Sequence, residues 1–175
     1  LQWSAVGRAD LWSPTDGGGS QLIGDEYDSI QFMSKLGEYM IVWKERSIYI
    51  GNQTLIPISP FNFVGAPNQG IGLAAPLTVG EVGDEQIFLA WDNVYMFSLS
   101  GLRSIGDRVK DNLLRGTDGI VPQYINMCQG IIAEEFDEYW LFVPTGKAPM
   151  YHSGNDIPNW CPNPTMELAE ISVTT

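Results

Sequence analysis

The sequence predicts an all-β, propeller-like protein, with about three blades of antiparallel strands and one short helix. Three observations point there. Tyr, Phe, Trp, Ile and Val cluster in short runs rather than at helical spacing, as they do in strands. Nineteen Gly and 11 Pro supply frequent turns. An aromatic-rich hairpin also recurs: residues 86–98 (QIFLAWDNVYMFS) turn at Asp92-Asn93, residues 40–50 (MIVWKERSIYI) at Lys44-Glu45, and residues 131–143 (IIAEEFDEYWLFV) at Asp137-Glu138. Asp and Asn tolerate the left-handed backbone of a tight turn. Turn positions 44, 92 and 137 are 48 and 45 residues apart, close to the ~40–50-residue period of a four-stranded blade.

Composition excludes several classes. Hydrophobic residues make up 44% and charged residues 17% of the chain, which is no disordered composition. At 175 residues, one domain would bury roughly 70% of its unfolded surface. Twenty-one acids against nine bases leave a net charge of −12, and such a surface repels phosphate backbones and anionic membranes alike. Cys128 and Cys161, with His152 as the single histidine, are too few for a zinc site within the chain; a disulfide between the two cysteines stays open. No signal peptide, lipidation motif or membrane-length apolar run is present. Leu1 is not an initiator Met, so the start reads as a processed or fragmentary end.

Taken in order, residues 1–6 (LQWSAV) are apolar enough for a strand, and the loop 13–20 (SPTDGGGS) follows. That loop approaches the S-x-D-x-G-x-x-W turn of sialidase-type propellers, but Asp16 stands three residues after Ser13 and no aromatic follows at the required distance. Asp25, Glu26 and Asp28 lack the alternate spacing and distal Glu of a calcium loop, and read as a solvated acidic loop. A strand at 30–36 ends at Gly37 and leads into the first hairpin, which Gly51-Asn52 closes. Asn52-Gln53-Thr54 is a glycosylation sequon that reads as a polar turn. Prolines 57, 60 and 67 make 55–76 a long connection with at most one strand, 61–64. Residues 77–82 form the strand before the central hairpin. Residues 104–116 (SIGDRVKDNLLRG) form the helix, with Ser104 and Asp107 approximating a capping box, Ile105, Val109 and Leu113 on one face, and Gly116 after the end. Its Arg108, Lys110 and Arg115 read as a solvated face or a subunit contact. A strand at 124–127 precedes the third hairpin. The blade pattern therefore covers 1–146, and 147–175 is a proline-rich tail with one terminal strand in 167–175.

No catalytic, cofactor-binding or metal-binding residue is assigned. His152 sits alone in a loop. Glu134, Glu135, Asp137 and Glu138 straddle a hairpin turn, where nothing sets two carboxyl groups in distinct environments. The glycines of 65–83 lack the Gly-Lys-Ser/Thr of a phosphate loop. Trp43, Trp91 and Trp140 lie in the repeated hairpins and are expected to pack between blades rather than stack on sugars.

Residues 71–111 (IGLAAPLTVGEVGDEQIFLAWDNVYMFSLSGLRSIGDRVKD), preceded by 39–50 (YMIVWKERSIYI) and followed by 138–146 (EYWLFVPTG), resemble the propeller region of bacteriophage tail-nozzle, or tail tubular protein B-like, virion proteins. The resemblance spans about residues 3–146 through loose hydrophobic patterns, and the stretch from Lys147 departs from it. It implies a non-enzymatic structural component of the virion tail or neck. The implied partners are other tail or neck proteins and further copies in a homo-oligomeric ring, with DNA passing through unbound and no membrane span. Under that resemblance the acidic balance lines the DNA path; the alternative is that it serves solubility only. Three repeats fall short of the 4–8 blades of a closed propeller, so other segments complete the ring or the chain is a piece of a longer polypeptide. A glycan-binding or sialidase-like propeller is the alternative function.

Overall fold

Two glycines set the strand plan. Leu36 pairs with Tyr39 across Gly37-Glu38, and Val82 with Glu85 across Gly83-Asp84. Gly37 and Gly83 have φ of 58° and 57°, the positive angle that the first central residue of a two-residue type II′ hairpin requires. The computed structural model describes residues 1–54, 56, 59–67, 70–115, 119–145 and 165–172. Its sheets are antiparallel throughout, its helices are short, and the chain is all-β. It divides into two compact units, Leu1–Gly72 and Leu73–Thr175.

The first unit begins with a two-stranded sheet, β1 (Gln2–Trp3) and β2 (Gly19–Ser20). The strand expected over residues 1–6 is thus only two residues long, because Ala5 turns back through its carbonyl to Arg8 N at 3.0 Å. A four-stranded meander follows: β3 (Ile30–Leu36), β4 (Tyr39–Lys44), β5 (Ile48–Gln53) and β6 (Phe61–Gly65), each paired with the next. Between Ile30 and Phe32 the register of β3 shifts by a bulge.

The second unit repeats this meander as β7 (Gly80–Val82), β8 (Glu85–Leu89), β9 (Val94–Ser98) and β10 (Gly101–Ser104). Offset by 46 residues, the ladders coincide: Ile41↔Ile50 and Trp43↔Ile48 correspond to Ile87↔Met96 and Leu89↔Val94. The closing bonds coincide as well, Lys44 N to Ser47 O and Ala90 N to Asn93 O, each at 2.9 Å. What differs is the third connection, which spans 54–60 in one meander and 99–100 in the other. Between β10 and the third sheet lie α1 (Lys110–Arg115) and a 3₁₀ helix, Pro122–Met127. The third sheet holds β11 (Gln129–Ala133), β12 (Glu138–Thr145) and β13 (Thr165–Ser172).

Several expectations need correction. Residues 77–82 are not one strand: Pro76–Thr78 is a 3₁₀ turn, held by Thr78 Oγ1 donating to Ala75 O and accepting from Leu89 N. Residues 124–127 belong to the 3₁₀ helix that Pro122 starts with its fixed φ. The helix is six residues long because Ser104 stays in the β10 ladder opposite Tyr95. The first two hairpins turn at Glu45-Arg46 and Trp91-Asp92, one residue off the expected positions, and without left-handed residues; among the described residues only Asp137, at φ 53°, is a non-glycine with positive φ. The third hairpin, 131–143, is not equivalent to the other two. It joins the first and second strands of its sheet, whereas 40–50 and 87–97 join the second and third.

Within the second unit, one face of β8–β9 meets one face of β12–β13. Ile87, Leu89, Val94 and Met96 form a single core with Tyr139, Leu141, Val143 and Ile171. Gly80 allows the close approach, since a Cβ there would stand 2.8 Å from Ile132 Cδ1. Tyr139 crosses the layer and donates its hydroxyl to Thr78 O at 2.6 Å.

Candidate functional site

Register determines which side of each sheet a residue presents. Measured from the β7–β8 and β11–β12 turns, Trp140 takes the place of Ile87, and the Phe142↔Leu168 pair takes that of Leu89↔Val94. In the central sheet that face is covered by the third sheet, and its residues are fully buried. On the third sheet the same face is open: Ile131 is 52% and Leu168 43% exposed.

The β11–β12 turn extends this face. Glu134–Phe136 form one 3₁₀ turn and Asp137 closes it in the left-handed region, which places the ring of Phe136, 61% exposed, over Trp140. The two rings stack with centroids 6.0 Å apart and planes inclined by 17°. Glu138 fixes the indole by accepting from Trp140 Nε1 at 2.8 Å. Glu134, Glu135 and Asp137 are exposed in the same turn, and none of the three has an ion-pair partner among the described residues. Of the four carboxylates weighed above for a glycosidase pair, three are thus exposed in the turn beside an aromatic face and the fourth, Glu138, holds the indole. The sequence showed the acids; Phe136 was missed because a single aromatic in an acidic turn carries no periodic signal.

Other predicted positions have structural roles. Asp28 is not in a solvated loop: its carboxylate accepts from Arg46 N at 2.8 Å and from Ser47 Oγ, and lies 3.9 Å from Lys44 Nζ. Lys44, 2% exposed, also donates to Ile23 O and Asp25 O at 2.7 and 2.6 Å. A buried charge persists only when paired in this way. A lysine ending the apolar run MIVWK was the available clue. Asp25 accepts from Tyr27 N in a local turn. In the second unit Asn93, at the place of Ser47, donates to Ser104 Oγ and to Asp107 Oδ1. Asp107 therefore anchors the hairpin instead of capping a helix. The hydrogen bond from Lys110, with those from Ser104 and Asn93, pulls its carboxyl down to about 2.

The three hairpin tryptophans part company. Trp43 is fully buried and donates to Ser34 Oγ at 2.7 Å; Trp140 is half-buried. Trp91 is 51% exposed at its turn and does not pack between sheets as expected. Cys128 is buried, which pushes its thiol up to about 12 and removes it from thiolate chemistry. Cys161 and His152 lie outside the described residues, as do 116–118 and 146–164. Asn52 and Gln53 are exposed at the end of β5. A cleft of about 450 Å³ lies between Trp3, residues 17–21 and Ser59, but the indole of Trp3 is pressed against Gly19 and edge-on to Phe61.

Among the described residues no group of three or more His, Cys, Asp or Glu could hold a metal ion. None of the described helices is long and apolar enough to cross a membrane. The sequence matches no protein-family profile and no curated protein sequence.

Proposed function

We propose that the chain is a structural, non-enzymatic component of a bacteriophage virion tail or neck, whose sheets act as propeller-type blades in a ring around the DNA exit channel. The observation that carries this is the meander repeated at a fixed register, with its second strand buried on both faces in both copies: Ile41–Lys44 and Gln86–Leu89. A four-stranded antiparallel sheet covered on both sides is what a blade between two neighbours requires. The three recurrent hairpins also fall in three separate sheets rather than one, and they lie in the segments that resemble the tail-nozzle family. The proposed partners are other tail or neck proteins and further copies of the chain, with DNA passing by unbound.

Imaging of single particles of the purified protein tests this: rings are expected, and monomers at every concentration would overturn it. The exposed indole of Trp91 favours a second reading, a glycan-binding or sialidase-like propeller. Binding on a glycan array that disappears in Trp91→Ala, or hydrolysis of a fluorogenic sialoside, would establish that instead.

A further inference from the structure

We propose that the open face of the third sheet, formed by Ile131, Phe136, Trp140, Phe142 and Leu168, docks an antiparallel sheet of a different protein with an apolar centre and a Lys/Arg rim. This rests on the assembly reading above and adds which face is used and by what kind of partner.

The shape of the occupant follows from the neighbouring layer. The corresponding face of the central sheet is sealed by an alternating aromatic and aliphatic face, Tyr139, Leu141, Val143 and Ile171. The open face repeats that surface at equivalent register, with Trp140 for Ile87 and Phe142 and Leu168 for Leu89 and Val94. A sheet of the same alternation therefore fits it. The Phe136–Trp140 stack is fixed before binding, by ring contact and by Glu138, so little side-chain freedom is lost on docking.

Charge selects the partner. Among the described residues Glu134, Glu135 and Asp137, exposed in the turn beside this face, have no ion-pair partner, and burying them beside an apolar contact without cations is costly. Two copies meeting through this same face would bring carboxylate against carboxylate. The only locally basic stretch of the chain, Arg108 to Arg115, is interleaved with Asp107 and Asp111, and Lys110 is already bound to Asp107 at 2.9 Å. With 21 acids to nine bases, a Lys/Arg rim is more readily supplied by another protein than by a second copy of this chain. Arginine on the partner would both pair with the carboxylates and stack on the exposed ring of Phe136.

Two synthetic β-hairpin peptides with one shared Trp/Ile/Val face, one edged with Lys and Arg and the other with Glu, test this by fluorescence anisotropy against the whole chain. The cationic hairpin is expected to bind at least about tenfold more tightly, with affinity falling as salt rises. Ile131→Lys or Leu168→Lys should abolish binding, and Glu134→Gln with Asp137→Asn should weaken it to the level of the anionic hairpin. All four positions are exposed, and unchanged thermal melts would show that the variants fold. Equal binding of both hairpins, no binding of either, or binding indifferent to Ile131→Lys would overturn the proposal. So would self-association lost in Ile131→Lys, which would assign the face to a second copy. Ring formation is read separately by particle imaging, so failure here leaves that reading standing.

Discussion

Trp43 and Trp91 hold nearly equivalent places in two repeats, two residues apart in register, yet one is buried and hydrogen-bonded and the other sits at a turn. Trp43→Ala is expected to cost about 3–5 kcal/mol, the usual loss for a deleted buried aromatic. Trp91→Ala should stay within about 0.5 kcal/mol, as for ordinary surface positions; urea denaturation of both variants checks this. Asp107 adds a pH dependence. Its folded pKa of about 2 lies below the ordinary carboxyl value of 3.8, so its contribution is full above about pH 4 and is lost as pH falls through about 2. Acid unfolding followed by circular dichroism should therefore show a shallower loss between pH 4 and 2 in Asp107→Asn than in the parent. A slope identical to the parent's would mean that the carboxylate is not held by Lys110 and Asn93.

Elements were legible where chemistry is local. Glycine turns at 37 and 83 and alternating aromatics are visible within a few residues, whereas the 3₁₀ turns Pro76–Thr78 and Pro122–Met127 fall where strands were expected. The terminal strand was also legible in ELAEISV, and appears as β13. What escaped was set by contacts distant in sequence. The indole of Trp91 is exposed because its turn lies one residue earlier than Asp-Asn chemistry suggests, and α1 is short because Asn93 draws Ser104 and Asp107 to itself. The third hairpin was aligned by its aromatics, although pairing register, not composition, decides which strands it joins. The two glycine turns offer a direct check of equivalence. A Cβ at either position meets nothing within 4 Å, so only the backbone angle is at stake. Gly37→Ala and Gly83→Ala should each cost about 1–2 kcal/mol, and thermal denaturation should show similar losses. A neutral change at one of them would mean the two meanders are not built alike.

For the molecule as a whole, charge is the property that sequence alone determines. A net charge of −12 opposes phosphate contacts and the counterion release that drives them. Mobility-shift assays with duplex DNA at about 0.15 M salt should show no complex. A retarded band would overturn the proposed passage of unbound DNA.

The pairing of β12 with β13 is the longest ladder among the described residues, running from Glu138↔Ser172 to Thr145↔Thr165. Both four-stranded meanders close through nearby turns, but this ladder must first bring together ends 20 residues apart at its nearer limit. Loop closure of that span precedes any reward from pairing, and non-local strand contacts slow folding. Refolding of the second unit should thus begin with its local hairpins, with β13 the last strand to be secured. In pulsed hydrogen exchange during refolding, amides of β8 and β9 should gain protection before those of β13, and a fold that keeps its central sheet while β13 opens would be the first partly unfolded species on warming.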